Sequence, residues 1–313
     1  MKISVVIPTY NRPDFLREAL SSVANQDRKP DEVVVSDNHS TVSADHVIRD
    51  FESIFMVRKV SPPSPLPMDQ HWIWAIHQAS GDYTAFLEDD NLWRRNHLAA
   101  LEAAVSKYPA ASLAGTATIP FSDPQQEEAI QKDTFAPPWK FNLLTEEPVG
   151  TSREEVLGTY LFCTPFASSA VMVSNAVFRK VDPKGDGSKY GRDRWLWAQI
   201  ATMGGAAYNP KVTVLYREHG AQTVKTLQRG IYRKESAKNT RLIIELANSH
   251  GVSLSKAVSS LEGLITSKTA RFFANVTVRT RNWHHIRTLV PLLPGKPSCR
   301  QAIFEVIRTR FLG

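Results

Sequence analysis

The apolar run Lys2-Ile3-Ser4-Val5-Val6-Ile7 breaks at Pro8-Thr9-Tyr10-Asn11-Arg12-Pro13, and this punctuation constrains the fold more than any other stretch of the chain. A short run rich in β-branched residues and closed by a turn signal reads as a strand. Asn11 is placed to cap a following helix, and Pro13 suits its first turn. Phe15, Leu16, Ala19, Leu20 and Val23 then recur at helical spacing. Glu32-Val33-Val34-Val35-Ser36-Asp37-Asn38 is the next strand, ending on polar residues. Strand, helix, strand at this spacing is a βαβ unit, which predicts an α/β fold with a parallel sheet and right-handed crossovers. Ligands of such sheets bind at the carboxyl ends of the strands.

A third run, Tyr83-Thr84-Ala85-Phe86-Leu87, reads as a short buried strand behind the turn signal Gly81-Asp82, and it runs straight into Glu88-Asp89-Asp90-Asn91. Three adjacent carboxylates repel one another. Oxygen-only clusters of this kind become favourable when they hold a hard divalent cation, Mn²⁺ or Mg²⁺, often together with substrate phosphates. The plainer alternative is an acidic loop capping a helix that starts near Arg94. The Pro8 to Arg12 turn, Asp37-Asn38 and the acidic triplet are all expected at the same end of the sheet. No glycine precedes Gly81, so the first strand–helix turn carries neither the Gly-rich dinucleotide fingerprint nor a P-loop. Phosphates would then be neutralised by a metal on the acidic cluster.

Three blocks, Ser4 to Arg12, Val34 to Ser40 and Ala79 to Asp90, together resemble the inverting family 2 glycosyltransferases of the GT-A fold, over roughly the first 220 residues. The resemblance implies a single Rossmann-like nucleotide-binding sheet flanked by helices, and transfer of a sugar from a nucleotide-diphosphate donor. It places Pro8, Thr9, Tyr10, Arg12 and Asp37 around the base and ribose. It implies that Asp90 ligates the metal bridging the diphosphate, while Glu88 and Asp89 face the ribose and sugar. Glu88 stands where the family's acidic motif more commonly has Asp. Inverting transfer requires a base to deprotonate the acceptor hydroxyl opposite the leaving diphosphate. In Tyr190-Gly191-Arg192-Asp193-Arg194-Trp195, Asp193 matches the family's base, with Arg192 in place of the usual Glu; Asp182 and Asp186 are competitors, and a helix N-cap is the plain alternative.

Farther along, Val212 to Leu215 reads as a strand, and Tyr216-Arg217-Glu218-His219 resembles a family segment that closes over the donor. Arg217 is expected to pair with phosphate, and His219 to complete the metal shell or contact phosphate; a surface histidine is the alternative. Ser61 to Pro67 is a stiff connector leading to Asp69 and Gln70 on a helix that in the family lies beside the donor, so Asp69 joins the donor-site candidates. Trp72 and Trp74 are expected to be core or domain-packing residues. Residues 120–150 lack clear periodicity and are expected to form an acceptor-side loop.

Residues 1–224 carry 22 Lys and Arg against 27 Asp and Glu, whereas residues 225–313 carry 16 against 4. The break near Lys225 divides the expected catalytic domain, 1–224 (nucleotide-sugar half 1–119, acceptor half 120–224), from a basic, mostly helical extension, 225–313. Helices are expected over Ile231 to Ser249, Ser253 to about Val278, and Ser298 to Phe311. Arginines interleaved with aromatics at Arg271-Phe272-Phe273 and Val278 to Trp283 suit an anionic membrane surface; a solvated basic face is the alternative, and no nucleic-acid-binding module is recognisable. Cys163 and Cys299 are too few for a disulfide framework, and neither a signal peptide nor a membrane-span pattern is found, so a cytoplasmic enzyme, peripheral on the inner face of the plasma membrane at most, is expected. The expected acceptor is a glycan or lipid-linked glycan in surface polysaccharide assembly, with a uridine donor. A nucleotidyltransferase and a non-catalytic sugar-nucleotide-binding protein of the same fold are the competing readings.

Overall fold

The computed structural model describes residues 1–121, 147–162, 166–181, 192–218, 229–253 and 256. The chain divides into two compact units. The first comprises Met1–Gly150, Phe166–Lys184 and Ala206–Gln222; the second comprises Thr151–Pro165, Gly185–Gly205 and Thr223–Gly313.

In the first unit β1 (Ile3–Thr9) and β2 (Glu32–Asp37) are buried along their whole length, as their unbroken apolar runs require. Between them α1 (Pro13–Ala24) turns Leu16, Ala19, Leu20 and Val23 to the core. The chain continues through α2 (Asp45–Arg49), β3 (Val57–Val60), α3 (Met68–His77), β4 (Tyr83–Phe86), β5 (Leu92–Trp93), α4 (His97–Lys107) and β6 (Leu113–Phe121). After β7 (Val149–Thr151) the unit resumes with β8 (Val171–Ser174), the short α6 (Asn175–Phe178) and β9 (Ala206–Arg217). The strands lie in the order β3-β2-β1-β4-β8-β6-β9-β5.

The sheet is parallel from β3 to β4, as the βαβ pattern predicts. Beyond β4 it is mixed: β8 runs antiparallel to both β4 and β6. Reversal lets β8 begin at the carboxyl end of β4, with Met172 opposite Ala85 and Ser174 opposite Tyr83. The residues just before β8 therefore arrive beside the acidic loop. Gly115 of β6 allows the Phe166 ring to lie against its backbone, since a Cβ there would stand 2.3 Å from the ring.

Two local expectations are also corrected. Arg12, not Asn11, occupies the cap position of α1; Asn11 takes a left-handed backbone (φ 55°), and its side chain serves a different loop. The helix expected near Arg94 starts at His97, because Leu92 and Trp93 first pair with Leu215 and Val214 of β9. Trp72 and Trp74 are half-buried, and Trp72 packs on Phe86 with ring centroids 4.9 Å apart.

In the second unit α5 (Arg153–Phe162), α7 (Arg192–Gly204) and α8 (Arg229–Ser249) pack on one another. Trp197 and Tyr160 are fully buried there, and the buried Arg194 donates through Nε to the Tyr160 carbonyl at 2.7 Å. Gly205 closes α7 with φ 75°, where any side chain would meet the Thr151 carbonyl at 2.3 Å. Helix α8 spans the first helix expected in the basic extension. The other two, apart from Ser253 and Lys256, and all of the arginine–aromatic segments lie outside the described residues. Among the described residues no helix is long and apolar enough to cross a membrane.

Candidate active site

The carboxyl ends of β1, β2 and β4 converge in the first unit. Thr9 stands opposite Asp37 in the β1–β2 register, and β4 pairs with the other side of β1. Three loops beyond these ends are tied to one another by side chains distant in sequence.

The first tie is made by Asn11. Its Oδ1 accepts hydrogen bonds from Thr41 N at 2.7 Å, Thr41 Oγ1 at 3.0 Å and Val42 N at 3.1 Å, and its own N–H donates to Ser40 Oγ at 2.8 Å. Asn38 exchanges two hydrogen bonds with the Leu66 backbone, donating at 2.8 Å and accepting at 2.9 Å. The proline-rich connector is thereby pinned to the end of β2, and α3, with the half-buried Asp69 in its first turn, begins within one helical turn of that contact. Tyr10 stays 53% exposed above these loops, next to the buried Pro8. An exposed ring beside a rigid polar turn can present its face to a flat ligand.

Asp37 is the buried carboxylate of this region. Oδ1 accepts the Ser40 N–H at 2.9 Å, and Oδ2 pairs with Lys59 Nζ at 3.1 Å; Lys59 also reaches Asp45 at 2.6 Å. Burial alone would raise the Asp37 pKa, but Ser40 and the Lys59 ammonium together hold it below the usual carboxylate range. Beneath it, His71 shares a 2.7 Å hydrogen bond with Ser36, and burial pushes its imidazole down to about 4 against the attraction of Asp37. This end of the sheet thus combines an ionised carboxylate with a neutral histidine.

The acidic loop is sorted by its contacts. Asp89 points inward, accepting the Thr9 hydroxyl at 2.8 Å and Arg12 Nη1 at 3.3 Å. The same Arg12 nitrogen reaches Asp90 Oδ2 at 3.0 Å. Burial, and then the charge of Asp90, push Asp89 up to about 6 in spite of Arg12 and Thr9. Glu88 turns the other way, its Oε2 accepting Asn91 Nδ2 and Ser169 Oγ, both at 2.9 Å. Arg217 underpins the loop: its backbone N–H donates to Asn91 Oδ1 at 2.9 Å and its Nε to the Asp90 carbonyl at 2.8 Å. Its Nη2 pairs with Glu18, and the guanidinium lies between the Phe15 and Phe121 rings, 5.0 and 4.7 Å from their centroids.

Asp89 and Asp90 are hard oxygen donors, and among the described residues they join no cluster of three or more metal-ligating side chains. That donor set fits a Mg²⁺- or Mn²⁺-type ion completed by water and ligand phosphates, rather than one caged by protein.

Of the residues expected from the sequence, the structure brings together Thr9, Arg12, Asp89, Asp90 and Arg217 by direct contact. It sets Pro8, Tyr10, Asp37 and Glu88 on the same converging strand ends, with Asp69 on the helix that follows the pinned connector. Asp193 lies in the first turn of α7, in the second unit; burial pushes its carboxyl up, opposed by a backbone hydrogen bond and the charge of Arg194. His219, Asp182 and Asp186 lie outside the described residues. Lys59, Ser169 and Phe121 went unread in the sequence because each acts through a partner distant along the chain, whereas Asn11 was read only as a helix cap and Phe15 only as part of the helical spacing.

A family model described as "Glycosyl transferase family 2" matches residues 4–168. The chain is similar to the GalNAc(5)-diNAcBac-PP-undecaprenol beta-1,3-glucosyltransferase of Campylobacter jejuni, at 30% identity over 95 residues, covering 29% of this chain and 30% of that one. It is also similar to the abequosyltransferase RfbV of Salmonella typhimurium, at 32% identity over 110 residues, 33% of this chain and 32% of that one. The matched part thus spans about a third of each relative's length. Among solved structures, S. aureus TarS 1–349 in complex with UDP-GlcNAc aligns with a TM-score of 0.59 at 14% identity, covering 99% of this chain and 92% of that one. The mannosyltransferase PcManGT from Pyrobaculum calidifontis, in complex with GDP-Man and Mn²⁺, aligns with a TM-score of 0.52 at 15% identity, covering 99% and 87%. At these identities the structural likeness speaks for the fold.

Proposed function

The chain belongs to glycosyl transferase family 2, and on that premise we propose that it transfers a sugar from a uridine-diphosphate donor to a hydroxyl of a glycan or lipid-linked glycan in surface polysaccharide assembly. The observation that carries this reading is the contact set Thr9–Asp89–Arg12–Asp90, standing at the strand ends that also hold the braced Asp37. A relative named as a glucosyltransferase of an undecaprenol-linked glycan supports the acceptor class, and a structural neighbour holding UDP-GlcNAc supports the donor.

In this reading Pro8, Thr9, Tyr10 and Asp37 receive the base and ribose, with Asp69 beside the donor and the ionised Asp37 accepting N–H or hydroxyl donors. Glu88 and Asp89 face the ribose and sugar. Asp90 holds a Mn²⁺ or Mg²⁺ ion, for which His219 is the candidate further ligand, and the bound ion would stabilise the charge developing on the leaving diphosphate. Arg217 acts on the donor through the backbone of Asp90, which it fixes. Asp193 takes the proton of the acceptor hydroxyl, so that the sugar is transferred with inversion by in-line displacement. A carboxyl raised by burial holds that proton more firmly, which suits a base. No acid is required, because the nucleoside diphosphate leaves as an anion.

The test is thermal stability across nucleoside diphosphates and their sugars with Mn²⁺, Mg²⁺ or EDTA, followed by transfer assays. A metal-dependent rise in melting temperature with a uridine nucleotide, lost in Asp90→Ala, is expected. Asp193→Asn should keep that rise and lose transfer by roughly 10²- to 10⁴-fold. Absence of a shift with every nucleotide would refute the donor site; transfer surviving in Asp193→Asn would refute the base.

A further inference from the structure

The acidic loop is served by two arginines in different mechanical states. Arg217 is 8% exposed in its side chain and is fixed by Glu18, the Asp90 carbonyl and two aromatic rings. Arg12 is 35% exposed and sits at the cap position of α1, in the turn after β1. Its Nη1 alone bridges Asp89 Oδ1 at 3.3 Å and Asp90 Oδ2 at 3.0 Å. A guanidinium nitrogen 3.0 Å from Asp90 Oδ2 occupies the region that a hard cation on that oxygen would take.

We propose that Arg12 is an internal counter-cation of the acidic loop, which a divalent ion must displace from Asp90 and which then pairs with the donor diphosphate. The inference rests on the metal-dependent reading above and adds an order to it. A divalent ion within coordination distance of Asp90 Oδ2 and a guanidinium within hydrogen-bonding distance of the same oxygen repel each other. One of them must leave, and Arg12 has the exposure to do so. Guanidinium prefers a phosphate it can contact with two donors, and a bound diphosphate supplies one nearby. Metal alone therefore competes with Arg12, whereas metal arriving with nucleotide gives Arg12 a new partner. The two ligands then bind with positive coupling.

The experiment measures Mn²⁺ binding in the absence of nucleotide, by the electron paramagnetic resonance signal of the free ion, in the wild type, Arg12→Gln and Arg12→Lys. Arg12→Gln should bind Mn²⁺ at least about fivefold more tightly than the wild type, the lower end of ordinary coupling. Arg12→Lys retains a cation and should remain close to the wild type. Thermal melts of each variant establish that it is folded. A folded Arg12→Gln that binds Mn²⁺ no more tightly than the wild type, whether both bind or neither does, overturns the inference. Parallel titrations with Mn²⁺ and UDP on the wild type and Asp90→Asn separate the two levels. If these show Asp90-dependent binding while Arg12→Gln is unchanged, only the counter-cation role falls; if they show no Asp90-dependent binding, the metal reading falls and takes the inference with it.

Discussion

Asp89→Asn should make the protein more stable near neutral pH and less stable in acid, with the sign changing between. The carboxyl of Asp89 is raised from 3.8 to about 6 by burial and by Asp90. The folded state therefore binds that proton more tightly than the unfolded chain does, and stability falls as pH rises from about 4 to about 6. A shift of roughly two pH units corresponds to about 3 kcal/mol of penalty at higher pH. Asn removes the charge yet still accepts from Thr9, and it gives up one long contact to Arg12, which keeps Asp90 as partner. That loss is worth about 1 kcal/mol, leaving a net gain of about 1–2 kcal/mol near pH 8. Below about pH 3 Asp89 is largely protonated in both states, so only the lost contact remains and the variant is weaker by about 1 kcal/mol. Urea denaturation at several pH values, taken as the difference between variant and wild type, isolates this residue from the carboxylates that titrate the other way. A difference that stays constant with pH would refute the assignment of strain to Asp89. A destabilising charge kept in such a loop is expected where binding, rather than stability, decides the residue.

Two further outcomes follow from buried basic side chains. Arg217→Met should lower stability by roughly 2 kcal/mol through the lost charged hydrogen bonds and weaken donor binding, while Arg217→Lys should recover part of the stability without the stacking on Phe15 and Phe121; calorimetric titration with the donor nucleotide, showing affinity unchanged in Arg217→Met, would refute its support of the Asp90 backbone. His97 is fully buried beside Thr213 and Trp93, and burial pushes it down to about 3. Below about pH 6.5 the unfolded chain takes up a proton that the folded state refuses, so stability should fall with acid by up to about 1.4 kcal/mol per pH unit, and His97→Gln should flatten that slope in denaturation midpoints.

The parts of this molecule that were legible are those carried by local pattern. Unbroken apolar runs ending on polar residues specified β1, β2 and β4, and helical spacing specified α1, because burial of a strand or of one helix face depends on near neighbours in the chain. The same logic gathered Thr9, Asp37 and Asp89 at one end of the sheet, since parallel strands share a direction. Asn11 shows where local pattern misled: its type and position suit a cap, but its amide oxygen satisfies Thr41 and Val42 instead. The reversed β8 was invisible because side-chain alternation is the same in either direction along a strand.

From its own order of residues, then, this chain determined a Rossmann-like half-sheet and an acidic loop at its carboxyl edge. Tertiary structure decided the state of each charge there. Lys59 reaches Asp37 from β3, Ser169 meets Glu88 at the start of a reversed strand, and Arg217 comes from the end of β9 to hold the loop that carries Asp90. The energy of a charge depends on the dielectric and the partners within a few ångströms of it, and the fold alone brings partners from distant stretches of chain to that range.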